Sequence, residues 1–318
     1  MNVLHGGRKL EQCWHWNKER PSESHCAGVM ILTSAVPQSE KQVAKLDPLE
    51  CGVRNATDGW PFHVGLYRTE NNDSLYFCGG TIVTSRFVIG SAHCVKPYRS
   101  EILSVRYGVT DLTHRDTNNY CRVDSLIIHP NYRAPDFDDD IALLQLQDAI
   151  ALGTLARPIC LWPESTAQES EEDLEGTHGT SVGWGIGLHN LYTSVMQSAV
   201  TVVLRQSRCM EVFTGKLFEH NEFFCAVTPV CSGSGGSGFY VEREDRFYLR
   251  GMTTFGIAPK GYYQCGVNTL TGLLNVAKYT GWIRQRIDEI ESRHSTLEKS
   301  NISDISENRN QNPDPTTT

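Results

Sequence analysis

Cys231-Ser232-Gly233-Ser234-Gly235-Gly236-Ser237-Gly238-Phe239 decides how the rest of this chain is read. Glycine and serine fill every position between the cysteine and the phenylalanine, so the stretch reads as a tight turn delivering the backbone into the apolar strand that starts at Phe239. Working outward, Phe77-Cys78-Gly79-Gly80-Thr81-Ile82-Val83 and Phe87-Val88-Ile89-Gly90-Ser91-Ala92-His93-Cys94 are apolar strands bracketing a histidine. Asp136-Phe137-Asp138-Asp139-Asp140 runs straight into Ile141-Ala142-Leu143-Leu144, and Ser181-Val182-Gly183-Trp184-Gly185 opens a later strand. Val276-Ala277-Lys278-Tyr279-Thr280-Gly281-Trp282-Ile283 with Ile287 and Ile290 gives i, i+4, i+7 apolar spacing, which predicts a C-terminal amphipathic helix.

Together these stretches resemble the chymotrypsin-like serine peptidases. The nucleophile loop of that family reads C-x-G-D-S-G-G-P or, in arthropod modular and clip-type members, C-x-G-D-S-G-x-G-F. The resemblance runs from Cys51-Gly52 to about Ile290 and adds Trp60-Pro61-Phe62-His63-Val64-Gly65-Leu66-Tyr67 as a first barrel strand. It implies an all-β fold of two packed six-stranded antiparallel barrels closed by the C-terminal helix. It also implies that His93 is the catalytic histidine and Asp140 the carboxylate that orients it. Asp136, Asp138 and Asp139 read as a solvated turn, and His63 and His129 as packing or surface histidines without a role.

Laid on the family pattern without a gap, the loop places Ser234 at the motif's Asp and Gly235 at its nucleophilic Ser. A residue without an oxygen cannot attack a carbonyl, so this alignment gives the fold without the chemistry. Gly233 and Gly235 take the oxyanion-hole positions. The alternative removes one residue before Ser234 and makes it the nucleophile of a working endopeptidase with His93 and Asp140. That slip shortens the spacing from Cys231 and throws Gly238 and Phe239 out of register with the following strand.

A second departure bears on the same point. Active members are cleaved before I-V-G-G, and the freed ammonium pairs with the Asp beside the nucleophile. Here Cys51-Gly52-Val53-Arg54 passes through Asn55-Ala56-Thr57-Asp58 to Gly59-Trp60-Pro61 without that sequence, and the receiving Asp is Ser234. Both halves of one ion pair are gone together, as expected where a buried carboxylate without its partner would cost several kcal/mol. Pro229, near the position that carries Asp in trypsin-like members, and Thr254, Phe255 and Gly256, on the S-W-G strand, take the substrate-groove positions.

The 318 residues allow one large domain or two small ones. The formal charge of −8 with no basic cluster argues against a nucleic-acid partner, and no apolar run approaches the roughly 20 residues of a membrane span. Eleven cysteines suit an oxidising compartment. Met1 to Trp16 lacks the apolar core of a secretory leader, so the reading expects a start further upstream. The resemblance implies Cys78–Cys94, Cys209–Cys225, Cys231–Cys265 and Cys51–Cys160 disulfides and leaves Cys121 over.

Residues 1–50 contain Cys13, His15, His25 and Cys26, ligand types for zinc, but a small loop closed by Cys13–Cys26 is the simpler reading and no metal or cofactor is assigned. Residues 51–292 form the protease-type domain. From 293 to 318 the Ser, Asn, Asp, Pro and Thr bias predicts a disordered tail. Asn55, Asn72 and Asn301 head N-glycosylation patterns. The function this implies is a secreted, silent protease homologue, a cofactor, adaptor or decoy. Its partners would be proteases or zymogens of a clotting, melanisation or immune cascade.

Overall fold

The structure, a computed structural model, describes residues 50–54, 59–113, 119–164, 174–186, 192–213, 222–227, 234–257 and 270–293. Six antiparallel strands close a first barrel in the order β1-β2-β3-β6-β5-β4. They are β1 (His63–Glu70), β2 (Asp73–Ile82), β3 (Phe87–Gly90), β4 (Leu103–Tyr107), β5 (Tyr120–Ile128) and β6 (Ala142–Leu146). In β4 the alternation is plain: Leu103, Val105 and Tyr107 turn inward, while Ser104 and Arg106 are only partly covered. All five residues of β6 are buried, because one side faces the barrel core and the other the second sheet.

Hairpin chemistry sets the register. Between β1 and β2, Asn71 and Asn72 take φ of 51° and 69°, and Glu70 pairs with Asp73 across a two-residue loop. Left-handed backbone at both loop positions matches the natural strand twist, and asparagine tolerates it. Asn72 is exposed at this tip.

The second sheet uses β7 (Cys160–Leu161), β8 (His178–Ile186), β9 (Tyr192–Val202), β10 (Phe223–Val227), β11 (Gly238–Arg243), β12 (Arg246–Ile257) and β13 (Leu270–Leu274). Its order is β10-β13-β12-β11-β8-β9, with the short β7 parallel to β12. A bridge between Val203 and Ala226, with Leu204 N–H donating to the Cys225 carbonyl at 2.9 Å, ties the two outer strands. A closed six-stranded antiparallel barrel and a second sheet are thus present, the second sheet having seven strands.

Between barrel and sheet, Trp60, Phe62, Phe87, Ile89, Ile141 and Leu143 meet Val182, Tyr240, Leu249, Met252 and Leu274 in one core. Tyr240 sits at its centre, stacked on Trp60 at 5.6 Å and edge-on to Phe62 at 4.8 Å, a geometry that adds to plain area burial. A 3-10 turn, Val276–Tyr279, leads into a helix over 280–293 whose Ile283 and Ile287 are buried.

Among the described residues three disulfides are formed: Cys51–Cys160, Cys78–Cys94 and Cys209–Cys225, with Cα separations of 4.9, 6.4 and 5.8 Å. Cys121 is a buried free thiol on β5. Cys231, Cys265, Cys13, Cys26, Asn55 and Asn301 lie outside the described residues, as do the 1–49 segment and the tail beyond 293.

Candidate functional site

The site lies where β3 ends against the second sheet. After Gly90 the chain leaves β3 through Ser91 in extended conformation and makes one helical turn, α1 (Ala92–Val95). The Cys78–Cys94 disulfide fastens that turn to β2. His93, on the turn, is thus placed by covalent and backbone restraints before its side chain makes any contact.

Asp140 comes from the segment entering β6 and is fully buried. Its Oδ1 accepts the backbone N–H of His93 at 2.7 Å, and its Oδ2 lies 2.7 Å from His93 Nδ1. A buried carboxylate held to Nδ1 keeps the ring proton on that nitrogen, so Nε2 presents a lone pair. The imidazole is 27% exposed, and the ring of Phe137 meets it edge-on at 5.5 Å. Nε2 also lies 3.4 Å from Cys94 Sγ.

Opposite this imidazole runs the glycine-rich loop. Gly79 N–H donates to the Gly235 carbonyl at 2.8 Å, Gly236 N–H to Thr253 at 2.8 Å, Ser237 N–H to Ser234 at 3.0 Å and Thr253 N–H to Ser237 at 2.8 Å. Gly236 has φ of +77°, and a Cβ there would come within 2.4 Å of the Gly79 carbonyl oxygen, so only glycine fits this close approach.

Gly235 is the residue that faces the histidine. A Cβ built on it would lie 3.1 Å from His93 Nε2, 3.2 Å from Cys94 Sγ and 3.4 Å from Cys78 Sγ. Ser234, next door, is fully buried, and its hydroxyl donates to the Trp184 carbonyl at 2.8 Å. Side chains alternate about the loop backbone. The position aimed at the imidazole has no side chain, while the neighbouring hydroxyl is engaged with β8.

On the groove strand, Thr254 is buried, Phe255 is half-buried and Gly256 is exposed. The Phe255 ring packs against Phe213 at 5.2 Å, Phe223 at 5.4 Å and Phe137 at 5.7 Å, forming an aromatic wall that reaches back to His93. Pro229 and Gly233 lie outside the described residues. Cys78, His93 and Cys94 have metal-ligand types and lie close together, but both sulfurs are in the disulfide, so neither can be a thiolate ligand.

Two polar contacts escape a reading of the sequence. Asp139, taken above as part of a solvated turn, instead faces inward at φ of 50° and brings Oδ1 to 3.3 Å from His129 Nδ1. The His129 ring in turn meets Tyr279 at 5.4 Å and Trp282 at 5.0 Å, so this acid ties the segment before Asp140 to the C-terminal helix. His63 is buried against Trp184 at 5.0 Å with Nδ1 3.3 Å from the Tyr240 hydroxyl, and burial pushes its pKa down to about 3. It packs, as expected.

Comparison with known proteins places these residues in context. The family model described as Trypsin matches residues 50–283. The chain is 30% identical over 252 residues to Clotting factor C of Tachypleus tridentatus, covering 72% of this chain and 24% of that protein. It is 30% identical over 242 residues to Inactive CLIP domain-containing serine protease A8 of Anopheles gambiae, covering 71% and 62%. It is also 30% identical over 235 residues to Trypsin II-P29 of Gallus gallus, covering 71% and 86%. The chain thus spans about a quarter of that clotting factor's length.

Proposed function

This chain belongs to the Trypsin family, and from that premise we propose that it is a serine protease homologue without peptidase activity, acting through its surfaces in an extracellular proteolytic cascade. The observation that carries the reading is the Cβ direction at Gly235, 3.1 Å from His93 Nε2, with nothing on it to be activated. Gly235 takes the nucleophile's place, and His93 and Asp140 remain as a hydrogen-bonded remnant of the triad. Ser234, buried and bonded to Trp184, takes the place of the activation Asp rather than of the nucleophile.

The cascade setting is supported by the relatives. One is named a clotting factor and another an inactive protease of the CLIP type. Three disulfides fit an oxidising compartment, and among the described residues no helix is long and apolar enough to cross a membrane. The role is that of a cofactor, adaptor or decoy toward proteases or zymogens. On the groove strand, half-buried Phe255 and exposed Gly256 offer such a partner a contact.

A fluorophosphonate probe separates this reading from a working endopeptidase that uses Ser234. The native protein, disulfides intact, is expected to remain unlabelled under conditions that saturate an ordinary trypsin. Labelling that disappears in Ser234→Ala would overturn the silent reading.

A further inference from the structure

The remnant dyad is more than a fossil in geometric terms. We propose that His93 is itself a nucleophile and that this fold turns over activated acyl donors, aryl esters of short carboxylic acids, through an acyl-imidazole. The proposal rests on the reading that position 235 supplies no hydroxyl.

Four observations carry it. Asp140, fully buried, grips the histidine twice, at the backbone N–H and at Nδ1, both at 2.7 Å. The ring is therefore fixed with its Nε2 lone pair directed away from the acid, and positive charge arising on the imidazole is balanced by the carboxylate behind it. The imidazole is 27% exposed, so a small ester reaches it. Gly235 puts no atom beyond its Cα in front of Nε2, whereas a serine there would take the lone pair in a hydrogen bond.

The fourth observation selects the substrate. Phe137 stands edge-on to His93 at 5.5 Å and is 5.7 Å from Phe255, giving an apolar aromatic wall beside the imidazole ring that suits a flat aryl leaving group. The sulfur near Nε2 belongs to a disulfide and does not compete as a nucleophile.

The chemistry balances without a serine. The Nε2 lone pair forms a bond to the ester carbonyl carbon, the carbon–oxygen bond to the aryl group breaks, and the aryl oxide leaves with the electron pair. The acyl-imidazolium keeps its Nδ1 proton against Asp140. Water then adds to the acyl carbon, the carbon–nitrogen bond breaks, and carboxylate and two protons are released to solvent as Nε2 regains its lone pair. An aryl oxide needs no proton to depart, so no general acid is required. A peptide amine does, so the same site leaves peptides intact.

The test is 4-nitrophenyl acetate hydrolysis by the full chain with its disulfides intact, read as 4-nitrophenolate release and as acetyl adduct by peptide mapping of a quenched sample. His93→Gln is expected to lower turnover by about tenfold or more, and Asp140→Asn several-fold, with circular dichroism unchanged. His178→Ala, an exposed histidine on β8, serves as the control and keeps wild-type turnover. The acetyl group is expected on His93. A folded His93→Gln protein within twofold of wild type, or an adduct mapped to another residue, overturns the proposal. If instead Ser234→Ala abolishes hydrolysis together with fluorophosphonate labelling, it is the silent-protease reading that falls, and this one with it.

Discussion

Gly235→Ser stays silent toward peptide anilides, recovering less than about a thousandth of the turnover of an ordinary family member, although it returns a hydroxyl to a position that faces His93. Loss of a triad nucleophile by itself costs about 10⁶-fold, so a protein lacking nothing else would recover almost all of that on restoration. Two obstacles remain after the hydroxyl is added. The first is steric: the new Cβ meets His93 Nε2 at 3.1 Å and the two sulfurs at 3.2 and 3.4 Å, so the imidazole or the disulfide has to shift by a few tenths of an ångström. The second is the activation pair, for which this sequence supplies neither I-V-G-G nor the Asp, the latter being Ser234.

Adding Ser234→Asp to the variant makes matters worse rather than better. Position 234 is fully buried and its side chain faces the Trp184 carbonyl oxygen, so an ionised carboxylate there is cut off from solvent and set against another oxygen. Several kcal/mol of stability are expected to be lost. Initial rates on a panel of anilides, with urea unfolding of both variants, check the two statements. Family-level turnover in Gly235→Ser alone would show that the activation lesion does not exist.

Acid is expected to unfold this protein partly through one residue. His63 is buried, and its folded pKa of about 3 lies far below the ordinary 6.5 because burial disfavours the charged ring. Below pH 6.5 the unfolded chain takes up a proton that the folded ring refuses until about pH 3. Stability from this group is therefore complete above pH 6.5 and falls as pH drops through that window, by about 2 kcal/mol at pH 5 and about 4 to 5 kcal/mol near pH 3.

His129, also pushed down by burial with Asp139 opposing, contributes in the same direction. The clean comparison is therefore between wild type and His63→Gln, which keeps a neutral polar side chain and cannot titrate. Urea unfolding at pH 7 and pH 5 is expected to show the wild type losing about 2 kcal/mol more than the variant. Equal losses in the two proteins would mean that the ring is hydrated or paired in the folded state.

The strands, His93, Asp140 and the glycine-rich turn are legible from the residues because each is a short motif whose spacing leaves little freedom. An apolar strand entering a fixed turn puts its last residue in one place. Gly235 follows the same logic, since a single unbroken loop sets which residue faces the imidazole. What is not legible is which of several chemically similar groups turns inward. Asp136, Asp138, Asp139 and Asp140 look alike in a row, and the left-handed backbone at Asp139, φ of 50°, sends its carboxylate to His129.

The same holds for Ser234 and His63. Nothing in the order of residues announces that the Ser234 hydroxyl bonds the Trp184 carbonyl, because the acceptor is a backbone atom 50 residues away. His63 opens β1, whose first five residues are all buried, so strand period does not tell how deep its ring lies. Its neighbours across the interface, Trp184 and Tyr240, come from the other sheet.

The most direct measurement is a crystallographic determination of where the Ser234 hydroxyl goes in the native, uncleaved protein. This account predicts Oγ on the Trp184 carbonyl at about 2.8 Å, with bare glycine at position 235 in front of His93. An Oγ within hydrogen-bond reach of His93 Nε2, flanked by two backbone amides aimed into the same cleft, would contradict it.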